Sequence, residues 1–72
     1  MKVEIEDFKT GWHGISIGLN SKQIDGMINM LNKLKENQDH FHFRSNFKGK
    51  GGVGDIEFYF LNNTDEDNMH LE

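Results

Sequence analysis

Cysteine is missing from this 72-residue chain, so neither a disulfide staple nor a cysteine-built zinc cluster can stabilise it. Long hydrophobic runs are missing too. Nothing approaches the roughly 20 consecutive apolar residues of a membrane span, and the acidic opening Met1-Lys2-Val3-Glu4-Ile5-Glu6 lacks the basic start and apolar centre of a signal peptide. A cytoplasmic protein without a membrane partner is the expectation. Basic side chains are in deficit: eight Lys and Arg stand against twelve Asp and Glu, a net charge of −4. That balance argues against a nucleic-acid or anionic-membrane partner. The chain is also short of length. A domain of this size buries only about 60% of the surface its unfolded chain exposes, so a core without disulfides or metal is marginal and a homodimer is expected.

What the chain does have is alternation. From His40 to Leu61 two runs, His40-Phe41-His42-Phe43-Arg44-Ser45-Asn46-Phe47 and Asp55-Ile56-Glu57-Phe58-Tyr59-Phe60-Leu61, flank a Lys- and Gly-rich connection from Lys48 to Gly54. Aromatic residues alternating with polar ones across such a connection predict a β-hairpin with a long loop. Phe41, Phe43 and Phe47 share one parity, as do Ile56, Phe58 and Phe60, which gives each strand an apolar face. The opposite face carries His40, His42, Arg44, Glu57, Tyr59 and Leu61. Because the first face is needed for folding, these polar residues are the candidate partner-binding surface.

The segment Lys2–Phe8 alternates Val3 and Ile5 with Glu4 and Glu6, and Ile15, Ile17 and Leu19 alternate with Ser16 and Gly18. Two half-buried strands joined through the turn glycines Gly11 and Gly14 follow. Trp12, the only tryptophan, sits in that turn. Its ring is read as capping the edge of the core; the alternative is an exposed aromatic anchor for a partner. Asn20 then offers a helix N-cap with Gln23 at the third helical position, a capping-box pattern, and Leu19 is placed to pack on Ile24. A helix is predicted from about 21 to 36. Ile24, Met27, Ile28, Leu31 and Leu34 form its apolar stripe, opposite Lys22, Asp25, Asn29, Lys33 and Glu36. Gly26 falls on the polar side, where it costs about 1 kcal/mol relative to alanine.

The expected fold is therefore α+β with ββαββ order: one four-stranded sheet with one helix packed on one face, in strand order 1-2-3-4 or, fully antiparallel, 2-1-3-4. Residues 1–62 form the domain. Residues 63–72 form a flexible acidic tail, whose final Leu71-Glu72 resembles a purification-tag remnant.

Four stretches carry a possible chemical signal. The pair His40-x-His42 puts two imidazoles on one strand face about 7 Å apart, a spacing used by metal sites. Glu57 on the partner strand and Glu4 or Glu6 are the candidate carboxylates, and a charge-balanced sheet face is the favoured reading, so no metal or cofactor is assigned. The run Gly49-Lys50-Gly51-Gly52-Val53-Gly54 has the composition of a phosphate loop, but strands flank it where a helix N-terminus is required. Histidines and carboxylates occur without a nucleophile elbow or a paired-carboxylate motif, so no enzyme is expected. Finally, Asn62–Asn68 is polar and aperiodic, which reads as disorder, with mimicry of nucleic acid as the alternative.

Leu31 and Leu34 late in the helix, His40-x-His42 opening the third strand and Gly54-Asp55-Ile56-Glu57 opening the fourth resemble the small α+β immunity proteins of bacterial toxin systems, the immunity protein 32 group in particular. The resemblance spans roughly residues 15–61. It implies a cytosolic, non-enzymatic protein that binds and neutralises a cognate toxin, with His40, His42, Arg44, Glu57 and Tyr59, together with Trp12, as partner-binding residues. The alternatives are a homodimeric structural or regulatory domain and a metal-binding protein acting through His40 and His42.

Overall fold

A computed structural model describes residues 1–72. Its elements follow the expected order: β1 (Lys2–Asp7), β2 (His13–Gly18), α1 (Ser21–Asn37), β3 (His40–Arg44) and β4 (Asp55–Tyr59).

The helix begins where its capping chemistry directs. Asn20 is extended at φ −81° and ψ 172°. Its Oδ1 accepts from the Gln23 backbone N–H at 2.9 Å, and Gln23 Oε1 accepts from the Asn20 N–H at 3.1 Å, which completes the capping box. At the other end Gln38 takes a left-handed conformation, φ 51°, and donates its N–H to Leu34 O at 2.8 Å. That single residue turns the chain out of the helix and toward β3.

The strands pair only within their own hairpins. β1 and β2 are antiparallel, with Val3 opposite Ile17, Ile5 opposite Ile15 and Asp7 opposite His13. β3 and β4 are antiparallel, with His40 opposite Tyr59, Phe41 opposite Phe58, His42 opposite Glu57, Phe43 opposite Ile56 and Arg44 opposite Asp55. The single four-stranded sheet is therefore corrected to two separate two-stranded sheets, and neither expected strand order forms. Alternation dictates which face of a strand is apolar. It does not dictate which edge finds which neighbour. The β2 edge carries Gly14, Ser16 and Gly18, residues with little side chain to pack across a β2–β3 seam.

The core sits between α1 and the β3–β4 hairpin. The helix packs on β3, where Phe41 is the one buried residue, at 8% exposure. Phe41 and Phe58 stack with centroids 5.2 Å apart, and Phe43 meets both rings edge-on. Phe43, Ile56, Phe58 and Phe60 are half-buried, as are Gln23, Met27 and Leu34 of the helix. Phe47, expected on the same face, is not part of it. The strand ends at Arg44, Phe47 takes φ 57°, and its ring folds over Gly54, where an added Cβ would approach to 2.9 Å. A side chain at position 54 would displace that ring.

Much apolar surface remains uncovered. Ile5, Ile15 and Ile17 on the β1–β2 hairpin and Ile24, Ile28 and Leu31 on the helix are exposed, Ile15 at 61% and Ile28 at 53%. The helical three lie about a quarter-turn round from Met27 and Leu34, so the predicted stripe is real but only its near edge meets the sheet. The accessible surface is 6862 Å², against about 4,600 Å² for a compact monomer of this mass. The radius of gyration, 14.2 Å, exceeds the roughly 11 Å of a compact chain of this length. No helix is long and apolar enough to cross a membrane.

Candidate functional site on the polar face of the second hairpin

The β3–β4 ladder sets His40, His42 and Arg44 opposite Tyr59, Glu57 and Asp55. Residues two apart on a strand share a face, and so do directly opposed residues of an antiparallel pair. Five of the six residues singled out from the sequence are thus gathered on one surface: His40, His42, Arg44, Glu57 and Tyr59. The sixth, Trp12, is not. It lies in the β1–β2 turn with its side chain 76% exposed, an open aromatic and not a lid on the core. Its backbone carbonyl accepts from Phe8 N–H at 3.1 Å and closes that turn. Glu4 and Glu6 belong to the other hairpin, where Glu4 pairs with Lys2 at 3.0 Å. Leu61 falls beyond the end of β4.

Two residues that the sequence did not single out complete the polar face. Asp55 accepts from His42 Nδ1 through both carboxylate oxygens, each at 3.1 Å, and lies 3.5 Å from Arg44 Nε. Asp39, the residue before β3, holds Oδ1 3.0 Å from His40 Nδ1. Parity carried the signal for Asp55, since it is two residues from Glu57. Asp39 sits outside the strand, and only the helix-terminating turn brings it back over His40.

The two imidazoles stand edge-to-face with centroids 5.2 Å apart. His42 Nε2 lies 3.8 Å from Glu57 Oε2. One ligand-type atom from each of His40, His42 and Glu57 falls within 4.8 Å of the others. His42 is partly sheltered at 26% side-chain exposure, whereas His40 and Glu57 are open to solvent. Beside them lies a shallow depression of about 460 Å³, lined by Gln38, Asp39, His40, Glu57, Tyr59 and Phe60. Chemically this is a surface of imidazole nitrogens and carboxylates, with one phenol and one guanidinium at its ends.

No protein-family model, curated protein or solved structure matches the chain.

Proposed function

We propose that this chain is a non-enzymatic protein-binding module that completes its apolar surface on a protein partner. One observation carries the reading: the apolar β1–β2 face (Ile5, Ile15, Ile17) and the helix flank (Ile24, Ile28, Leu31) stand exposed while a single residue is buried. The accessible surface exceeds that of a compact monomer by about 2,200 Å². A standard interface removes about 800 Å² from each partner, so a partner has ample surface to cover. Burial of apolar area at about 25 cal/mol per Å² is the dominant drive for such association. Exposed Trp12 at the tip of the first hairpin adds an aromatic of the type enriched at binding hot spots.

A cognate toxin domain is the partner that the resemblance to immunity proteins implies. The acidic balance of −4 favours fast encounter with a basic partner, and the polar face of His40, His42, Arg44, Glu57 and Tyr59 supplies specificity beside the apolar faces. Capture from a lysate of the native host with residues 1–72 as bait tests the reading. A near-stoichiometric partner with a basic, toxin-like domain is expected. A chain that captures nothing stoichiometric, stays monomeric and unfolds cooperatively by itself contradicts it.

A homodimer is the second reading, favoured by one feature: the chain carries two uncovered apolar surfaces of like chemistry, a sheet face and a helix flank. In a two-fold arrangement the helix flank of each copy packs on the hairpin face of the other. Light scattering over a concentration series decides it, since a monomer at all concentrations excludes this form of partner.

A further inference from the structure

We infer that His40, His42 and Glu57 form a binding site for a divalent transition-metal ion, with Zn²⁺ as the best-matched cation. The donor set is two imidazoles and one carboxylate, a combination that suits Zn²⁺ and its first-row neighbours and is too rich in nitrogen for Mg²⁺ or Ca²⁺. The three donors come from adjacent strands: His40 and His42 flank Phe41 on β3, and Glu57 stands directly opposite His42 on β4. His42 and Glu57 are thus set side by side by the antiparallel register, and His40 is two residues along the same strand.

Proximity alone would describe many charged sheet faces. The orientation of the rings goes further. His42 Nδ1 faces both oxygens of Asp55 at 3.1 Å, and His40 Nδ1 faces Asp39 Oδ1 at 3.0 Å. A carboxylate on Nδ1 holds the imidazole proton there and leaves Nε2 with its lone pair free, the arrangement in which metal-bound histidines are held by their outer partners. Both histidines have it independently, one from the strand opposite and one from the preceding turn. On His42 the freed Nε2 is the nitrogen that points to Glu57, 3.8 Å away.

Charge favours a cation. Asp39, Asp55 and Glu57 bring three carboxylates to the two rings, and Arg44 is the one permanent cation beside them, 3.5 Å from Asp55. A divalent ion relieves the mutual repulsion of the carboxylates. Tetrahedral bonds of about 2.0–2.1 Å bring donor atoms to about 3.3 Å from one another, so the present spread of 4.8 Å closes by side-chain rotation of the exposed His40 and Glu57. Three protein donors leave a fourth position open toward the depression lined by Gln38 and Tyr59, where water or a donor from a partner completes the shell. The site is independent of the apolar docking faces and stands or falls without them.

Titration of the untagged chain with Zn²⁺ alone, followed by calorimetry and by imidazole NMR signals, tests the site. One saturable equivalent is expected, with the Nε2 resonances of His40 and His42 shifting and their Nδ1 protons retained, while His13 and His70 stay in place. His40→Asn and Glu57→Gln should each weaken binding at least tenfold, and Asp55→Asn by roughly ten- to a hundredfold through the loss of ring orientation. His40 and Glu57 are exposed, and the ring signals of Phe41 and Phe58 report whether each variant keeps the fold. Absence of saturable binding overturns the site, as does binding of equal strength in His40→Asn, or shifts shared equally with His13 and His70.

Discussion

His42 and Asp55 lie diagonally across the β3–β4 ladder, each two residues along from the residue opposite the other, with His42 Nδ1 3.1 Å from both oxygens of the carboxylate. This contact links the second strand pair beyond its backbone bonds and fixes which ring nitrogen of His42 faces outward. Asp55→Asn should cost less than about 1 kcal/mol, because the pair is partly exposed to water. It should also free the His42 ring, which NMR would register as loss of a persistent Nδ1 proton signal. A signal that persists unchanged would mean that other contacts orient the ring.

Phe41 holds the core by itself. It is the only buried residue, stacked on Phe58 and meeting Phe43 edge-on. Phe41→Ala should destabilise by about 3–5 kcal/mol, comparable with the whole stability of a small domain at roughly 0.05–0.15 kcal/mol per residue. Loss of the cooperative thermal transition by circular dichroism is expected. A transition shifted by less than about 1 kcal/mol would show that the core lies elsewhere.

The capping box on Asn20 satisfies two backbone N–H groups at one helix end, those of Asn20 and Gln23. Asn20→Ala should lower stability by about 1 kcal/mol, read from the denaturant midpoint at unchanged slope. Asn20→Asp should retain it.

Gly26 has open space around an added Cβ, and it lies in the middle of α1. Gly26→Ala should therefore raise stability by up to about 1 kcal/mol, since alanine loses less backbone entropy in a helix and meets nothing. A decrease would show that the bare backbone at Gly26 is used in contact with another molecule.

The local levels of structure were legible in the sequence, and the long-range one was not. Asn20 and Gln23 announced the capping box, Phe41 and Phe58 announced the apolar face of the second hairpin, and the parity of His40, His42, Arg44, Glu57 and Tyr59 placed them on one surface. All of these depend on periodicity and on contacts a few residues apart or across one hairpin. The single four-stranded sheet required β2 to find β3 across a 17-residue helix, and no local pattern encodes that pairing. Phe47 failed for a sharper reason: its parity fitted the core, but a positive φ takes it out of the strand. Asp39 was invisible because a residue in a turn has no face until Gln38 has set the direction of the chain.

The exposed apolar faces lead to the most direct measurement: capture from native-host lysate with three baits side by side, the parent chain, Ile15→Asp and Ile28→Asp. Both substituted side chains are exposed in the isolated chain, so the variants should stay within about 0.5 kcal/mol of the parent. If these faces bind a protein, the parent retains one partner near stoichiometry and at least one variant loses it by tenfold or more. Equal capture by all three baits would contradict a docking surface on the β1–β2 hairpin and the helix flank.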